Sequence, residues 1–221
     1  MIGREPEVIY KDVRRMYIRV LRDRTVRVTV PFGVPEEKWR AFVESRREWI
    51  EKAAARFPER KEYLYTDGET HWLLGRKVIL RVRRGSENAC RIRDDEALMT
   101  VRSSRTDREK LLAACWAREL SAVLSMLIEE WAPKMGVHPA GFTIRRMRGR
   151  WGSCDLRTGA LTFALDLSAK PVACIESVAV HELNHLLEGP HSVRFRRLMT
   201  RWLPDWKARK ERLTSFPREF E

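Results

Sequence analysis

Two histidines four residues apart with a glutamate beside the first, His181-Glu182-Leu-Asn-His185, are the residues of this chain best suited to chemistry. On a helix of 3.6 residues per turn, positions four apart lie one above the other, so both imidazoles can reach one ion. A catalytic zinc takes three protein ligands and leaves one position for water, and the sequence must therefore supply a third ligand. His191 is the candidate, but on an unbroken helix it would have climbed about 15 Å from His181 and rotated away. Gly189-Pro190 interrupts the helix first. Glycine is expected to take the left-handed position that ends it, and proline cannot continue the ladder. The chain can then turn back and offer His191 to the same ion, with Glu188 and Asp205 as acids that orient a ligand histidine or as rival third ligands. Glu182 stands where a carboxylate can take a proton from water and later pass it to a leaving amine.

The elements around this segment have to position it. Pro171 suits a first helical turn, and Val172, Ile175, Val178 and Ala179 recur at helical spacing up to the first histidine. Upstream, Phe142–Met147 and Ala160–Leu165 alternate as strands and bracket the glycine-containing stretch 148–159, which reads as a hairpin with an elaborate turn. A strand edge beside the ion would hold an extended peptide by main-chain hydrogen bonds. Trp151, Ser153 and Cys154 read as packing of that turn, and Cys154 has no histidine to spare as a base, which argues against a nucleophilic thiol. Arg148, Arg150 and Arg194 are candidates by position for stabilising an oxyanion. Downstream, 193–203 reads as a short helix whose Phe195, Leu198, Met199 and Trp202 cover the site, followed by a last helix after Pro204.

The first half is β-rich. Residues 7–31 read as β structure, with Met16–Val30 alternating over most of its length and Arg22–Arg24 as a turn, and 36–57 carry Trp39, Phe42, Val43, Trp49, Ile50 and Ala53 on one amphipathic helix ended by Pro58. Trp72–Val82 reads as a hairpin turning near Gly75–Lys77, and Leu98–Val101 as a further strand; 83–88 is loop, and His71 and Cys90 are structural. From Thr106 the pattern becomes a long helix, with Thr106-x-x-Glu109 spaced as a capping box. The fold class is α+β, with a β-rich part over 1–104 and a helical core over 105–221, or one continuous domain.

The chain of 221 residues is long enough to bury a core. It shows no apolar run of membrane-spanning length and no signal peptide at its start, so a cytoplasmic location is expected. Its four cysteines are scattered and read as reduced thiols. The formal charge of +13 would suit an acidic partner, but the 34 arginines are spread through every segment and no nucleic-acid motif accompanies them.

Several separated motifs resemble one family across almost the whole chain. They are Val28-Thr-Val-Pro31 before a Trp-rich helix, Asp67-Gly-Glu69 with Leu74-Gly-Arg76, Arg150-Trp-Gly-Ser-Cys154, and His181-Glu-Leu-Asn-His185 with His191-Ser-Val-Arg-Phe195. In this the chain is similar to the YgjP-like metallopeptidases, zincins related to the SprT-like and WLM proteases. Asn184 stands where relatives often carry Cys, and Val193 where they often carry Pro. The resemblance implies a zincin-like core and a zinc-dependent peptidase of peptide or protein substrates, in which His181, His185 and His191 bind Zn2+ and Glu182 is the base. Two other readings stand beside it. One is a protease acting on DNA-associated proteins, which the positive charge permits. The other is a non-catalytic binding protein with structural zinc, disfavoured because structural sites close with a fourth protein ligand.

Overall fold

The computed structural model describes residues 5–21, 24–55, 63–147, 149–216 and 220. It divides into two compact units, Met1–Arg60 and Lys61–Glu221. Among the described residues there are six α helices and three sheets, a mixed α+β chain as the patterning predicts.

In the first unit, β1 (Glu7–Lys11) runs parallel to β3 (Val26–Pro31), and β2 (Tyr17–Val20) pairs antiparallel on its other side. Val26, Val28 and Val30 alternate inward and form a small core with Trp39 and Ile50. The expected hairpin is β2–β3; Arg22 and Asp23 of its turn lie outside the described residues, as do Phe57 and Pro58. The single helix expected over 36–57 is two, α1 (Glu36–Ser45) and α2 (Arg47–Ala54). The break has a local cause. The Ser45 hydroxyl donates to the Phe42 carbonyl at 2.8 Å, while the Arg46 amide turns to the Val43 carbonyl at 3.0 Å, three residues back. A side chain competing for the helix ladder in this way bends or ends it.

The second unit begins with a four-stranded sheet, β4 (Thr70–Leu73), β5 (Arg76–Arg84), β6 (Ala89–Arg93) and β7 (Glu96–Val101), in the order β4-β5-β7-β6. The first turn falls at Leu74-Gly75, both at positive φ, which is the backbone of a tight two-residue hairpin. The sequence had no reading for β6, a short antiparallel partner of β7 with one residue, Cys90, fully turned inward. Helix α3 (Arg108–Met135) is capped by Asp107, whose carboxylate accepts from the Lys110 amide at 2.9 Å; Thr106 instead bonds Asn88. By length and composition α3 does qualify as a membrane-crossing helix, against the sequence expectation. Its Leu112, Cys115 and Trp116 belong to the core of the four-stranded sheet, and its Leu120, Leu124 and Leu127 to the core that holds the histidine helix. The sequence division near residue 104 thus falls inside this unit.

The third sheet differs most from expectation. β8 (Gly141–Arg145) and β10 (Ala160–Ala164) pair in parallel and not as a hairpin; β9 (Gly152–Cys154), taken from the stretch read as a turn, pairs antiparallel with β10 at the sheet edge. The tight turn is 155–159, where the Asp155 carboxylate accepts from the Arg157 and Thr158 amides at 2.9 and 3.3 Å. That Asx turn reverses the chain within five residues, so β9 returns on β10 and leaves β8 to reach it from the far side.

Candidate metal centre

After β10 a buried 3-10 turn, Leu165–Ala169, leads through Lys170 and Pro171 into α4 (Val172–His185). Nearly every side of α4 is covered: Cys174, Ile175, Val178, Ala179, Val180 and Leu183 pack in the main core, and Glu182 and Asn184 are buried as well. The β4–β5 hairpin fixes where the helix starts. A Cβ on Gly75 would stand 2.7 Å from the Pro171 Cα, and the Leu74 amide donates to the Ser168 carbonyl at 2.6 Å. Lys170 is fully buried, its ammonium donating to the Phe216 carbonyl at 2.8 Å and lying 4.9 Å from the Trp151 ring centre.

At its C-terminal end α4 presents His181 and His185. His191 returns to them: its Nε2 lies 2.9 Å from Nε2 of His181, and one nitrogen from each of the three rings falls within 4.8 Å of the others. The helix ends at His185, and Gly189 does not take the left-handed conformation the sequence reading assigned to it. Turns at 186–188 close on the Leu183 and Asn184 carbonyls instead. Gly189 is needed for other reasons. Its carbonyl lies 2.8 Å from Nδ1 of His185, and a Cβ there would meet Leu156 of the β9–β10 turn at 2.9 Å. With Nδ1–H donated to that carbonyl, Nε2 of His185 carries the lone pair.

Helix α5 (Val193–Trp202) backs the cluster. Ser192 caps it, accepting from the Phe195 amide at 3.1 Å and donating to Glu188 at 2.9 Å. The buried Phe195 ring lies 4.9, 4.7 and 4.9 Å from the rings of His181, His185 and His191. Asn184 ties the helices together by donating to the Phe195 carbonyl at 3.2 Å. Met199 is core, as expected. Glu188 is engaged by Ser192 and stands 3.5 Å from Arg194; Asp205 bonds Arg209 at 2.8 Å. Neither joins the histidine cluster.

Glu182, next to the first histidine, is only 4 % exposed. Edge strand β9 passes directly over it: a Cβ on Gly152 would stand 2.5 Å from Glu182 Oε1 and 2.8 Å from its Cγ and Cδ. Burial raises the Glu182 carboxyl to about 8, against an opposing pull from the Arg150 charge. Burial also lowers His181 to about 3, helped by His185, His191 and Lys210, and lowers His185. In the metal-free chain these rings are neutral, the form that ligates. The Cys154 thiol is pushed up by burial first and then by the Glu182 and Asp155 carboxylates, so it stays protonated and is no nucleophile. Arg150 and Arg194 are exposed, and Arg148 lies outside the described residues. The sequence placed Phe195 over the site but missed two other parts of it: the close approach of Glu182 to Gly152 and the Gly189 carbonyl. Gly152 had a visible signal, as one of the glycines in the stretch 148–159 that reads as a turn.

The profile of the YgjP-like family, metallopeptidase domain, matches residues 14–216. The chain belongs to the YgjP-like metallopeptidase family. Membership makes this YgjP-like chain a metal-dependent protease of peptide or protein substrates in general terms. No curated protein matches it. Among solved structures it is similar to the metallopeptidase zymogen of Pyrococcus abyssi abylysin, at 20 % identity and a TM-score of 0.39, over 42 % of this YgjP-like chain and 92 % of that one.

Proposed function

We propose that this protein is a zinc metallopeptidase of the His-Glu-x-x-His zincin kind, with His181, His185 and His191 as ligands and Glu182 as general base. The observation that carries the reading is the convergence of three ring nitrogens within 4.8 Å beside one buried carboxyl. The donor set fits the ion. A tetrahedral site with bonds of about 2.05 Å sets its ligand nitrogens about 3.3 Å apart, and all-imidazole triads suit catalytic zinc. Among the described residues no fourth His, Cys, Asp or Glu joins the cluster, which supports an open position over a closed structural site.

A zinc ion held by His181, His185 and His191 would supply Lewis acidity toward a carbonyl and a water, and its charge would favour the ionised Glu182 carboxylate. Glu182 is placed to take a proton from an attacking water and to return it to the departing amine. Phe195 and the Gly189 carbonyl keep the rings from rotating. Edge strand β9, with its outer side unpaired among the described residues, offers its main chain to an extended substrate just where Gly152 meets Glu182.

The test is metal analysis joined to peptide cleavage. Wild type should hold one zinc per chain and cleave. His181→Ala and His191→Ala should lose both metal and activity, while Glu182→Gln keeps the metal and loses activity. Full zinc in His191→Ala would remove the third ligand, and cleavage undiminished in Glu182→Gln would end the mechanism.

A further inference from the structure

We infer that the outer face of the four-stranded sheet binds single-stranded nucleic acid through its phosphates. This surface is separate from the histidine cluster, and the inference goes beyond the peptidase reading without depending on it.

Along the sequence the arginines are spread through every segment, but strand register sorts those of this sheet onto one side. The ladder sets Arg81 of β5 beside Leu98 of β7, and Leu98 beside Arg91 of β6. Two residues along β7 in one direction Arg93 stands beside Glu96, and two in the other Arg83 stands beside Thr100. The alternate positions, Leu80, Cys90, Ala97, Met99 and Val101, turn inward to the core shared with α3. Lys77 joins the outer face opposite Trp72, its ammonium 5.8 Å from that ring centre. The face thus carries Lys77, Arg81, Arg83, Arg91 and Arg93 against one acid, Glu96, and Arg81 occupies Glu96 at 2.7 Å. Arg83, Arg91 and Arg93 are exposed and, among the described residues, have no ion pair.

Like charges gathered on one sheet face repel, so the arrangement costs stability that an external anion would restore. The shape of the charge says which anion. Arg81 and Arg83 form one row and Arg91 and Arg93 another, about 10 Å apart across β7, with about 6.6 Å between the members of a row. Leu98 and Thr100 lie uncharged between the rows, and Ile79 beside them is 37 % exposed. Two cationic rows around an apolar floor fit a chain that is charged along its backbone and less polar along its other edge. A single strand lying along β7 gives its phosphates to the rows and its bases to the floor. A duplex turns its bases inward and leaves Leu98 and Ile79 uncovered. The residues between the rows include no aromatic ring and no base-reading amide, so the backbone is recognised and the sequence is not.

The experiment uses the full chain, with anisotropy of labelled oligothymidylate, a DNA duplex of the same length and polyglutamate. Oligothymidylate should bind more tightly than the other two. Each phosphate contact to a single strand adds about 0.7 to the slope of log affinity against log salt, which is about fivefold at about 0.1 M. Arg83→Gln with Arg91→Gln should therefore weaken binding about 25-fold and flatten the slope by about 1.4, with an unchanged melting temperature. Arg40→Gln with Arg47→Gln removes the same charge from α1 and α2, where both arginines are ion-paired, and should bind as wild type does. Absence of oligothymidylate binding overturns the proposal, and so does an equal loss in the two double variants, which would assign binding to net charge alone. Duplex or polyglutamate bound as tightly as the single strand overturns it as well. Peptide cleavage should be the same in the Arg83→Gln, Arg91→Gln variant as in wild type, so the peptidase reading stands or falls separately.

Discussion

Gly152→Ala isolates the contact between β9 and Glu182. An added Cβ would lie 2.5 Å from Oε1 and 2.8 Å from both Cδ and Cγ, so the obstruction involves the body of the side chain and not merely its tip. Rotating the carboxylate cannot clear it. Ordinary carbon contacts need about 3.5–4.0 Å, which makes the required displacement of Glu182 or of β9 about 1 Å. Gly152 does not have a positive φ, so alanine meets no backbone penalty there and the effect is one of space. A 1 Å error in a catalytic group costs on the order of 100-fold in rate, about 2.7 kcal/mol of activation free energy. Steady-state cleavage with matched metal analysis should show kcat down by about that factor with zinc content unchanged. A variant within threefold of wild type would refute the idea that β9 and Glu182 share this space. Loss of zinc in step with activity would instead place Gly152 in support of the ligands.

Two other expectations concern stability. In the metal-free protein Glu182 titrates at about 8, against an ordinary 4.5, so from 4.5 to 8 the native state holds a proton that the unfolded state has lost and stability falls as pH rises. His181, near 3 against an ordinary 6.5, has the opposite slope below 6.5, where the unfolded chain binds the proton. Above 6.5 only the Glu182 slope remains: chelated protein should lose about 1–2 kcal/mol between pH 6.5 and 8, and Glu182→Gln should abolish that loss in denaturant titrations. At Gly75, with φ of 82° and the Pro171 Cα 2.7 Å from any Cβ, alanine should destabilise by about 2–3 kcal/mol. An unchanged melting temperature would mean that the hairpin tip does not brace α4.

The gathering of His181, His185 and His191 was legible because i, i+4 spacing on a helix is a geometric statement and a Gly-Pro break frees the chain beyond it to turn back. The reason given for Gly189 was nevertheless wrong. Glycine at a helix end has two uses, left-handed backbone and close approach, and letters alone do not separate them. Strand pairing was the least legible feature. The alternation in 142–147 and 160–165 marks strands but carries no direction, and the Asx turn at Asp155 that inserts β9 between them in sequence is a three-residue hydrogen-bonding pattern inside a longer glycine-containing run. The break at Ser45 depended on one hydroxyl choosing its own helix as acceptor. The buried Lys170 had no sequence signal, since lysine is normally a surface residue and its acceptor lies 46 residues away.

Helix α3 is shared property. Its first turns belong to the four-stranded sheet, where the Trp116 indole donates to the Trp72 carbonyl at 2.7 Å, and its middle belongs to the core around α4. Amide hydrogens in β5, in α3 and in α4 should therefore exchange with a common, high opening free energy, because none of these elements can open while the others stay closed. An ion that binds only the native histidines would deepen that protection everywhere at once, and strands far from the ion would report its arrival as faithfully as the helix that holds it.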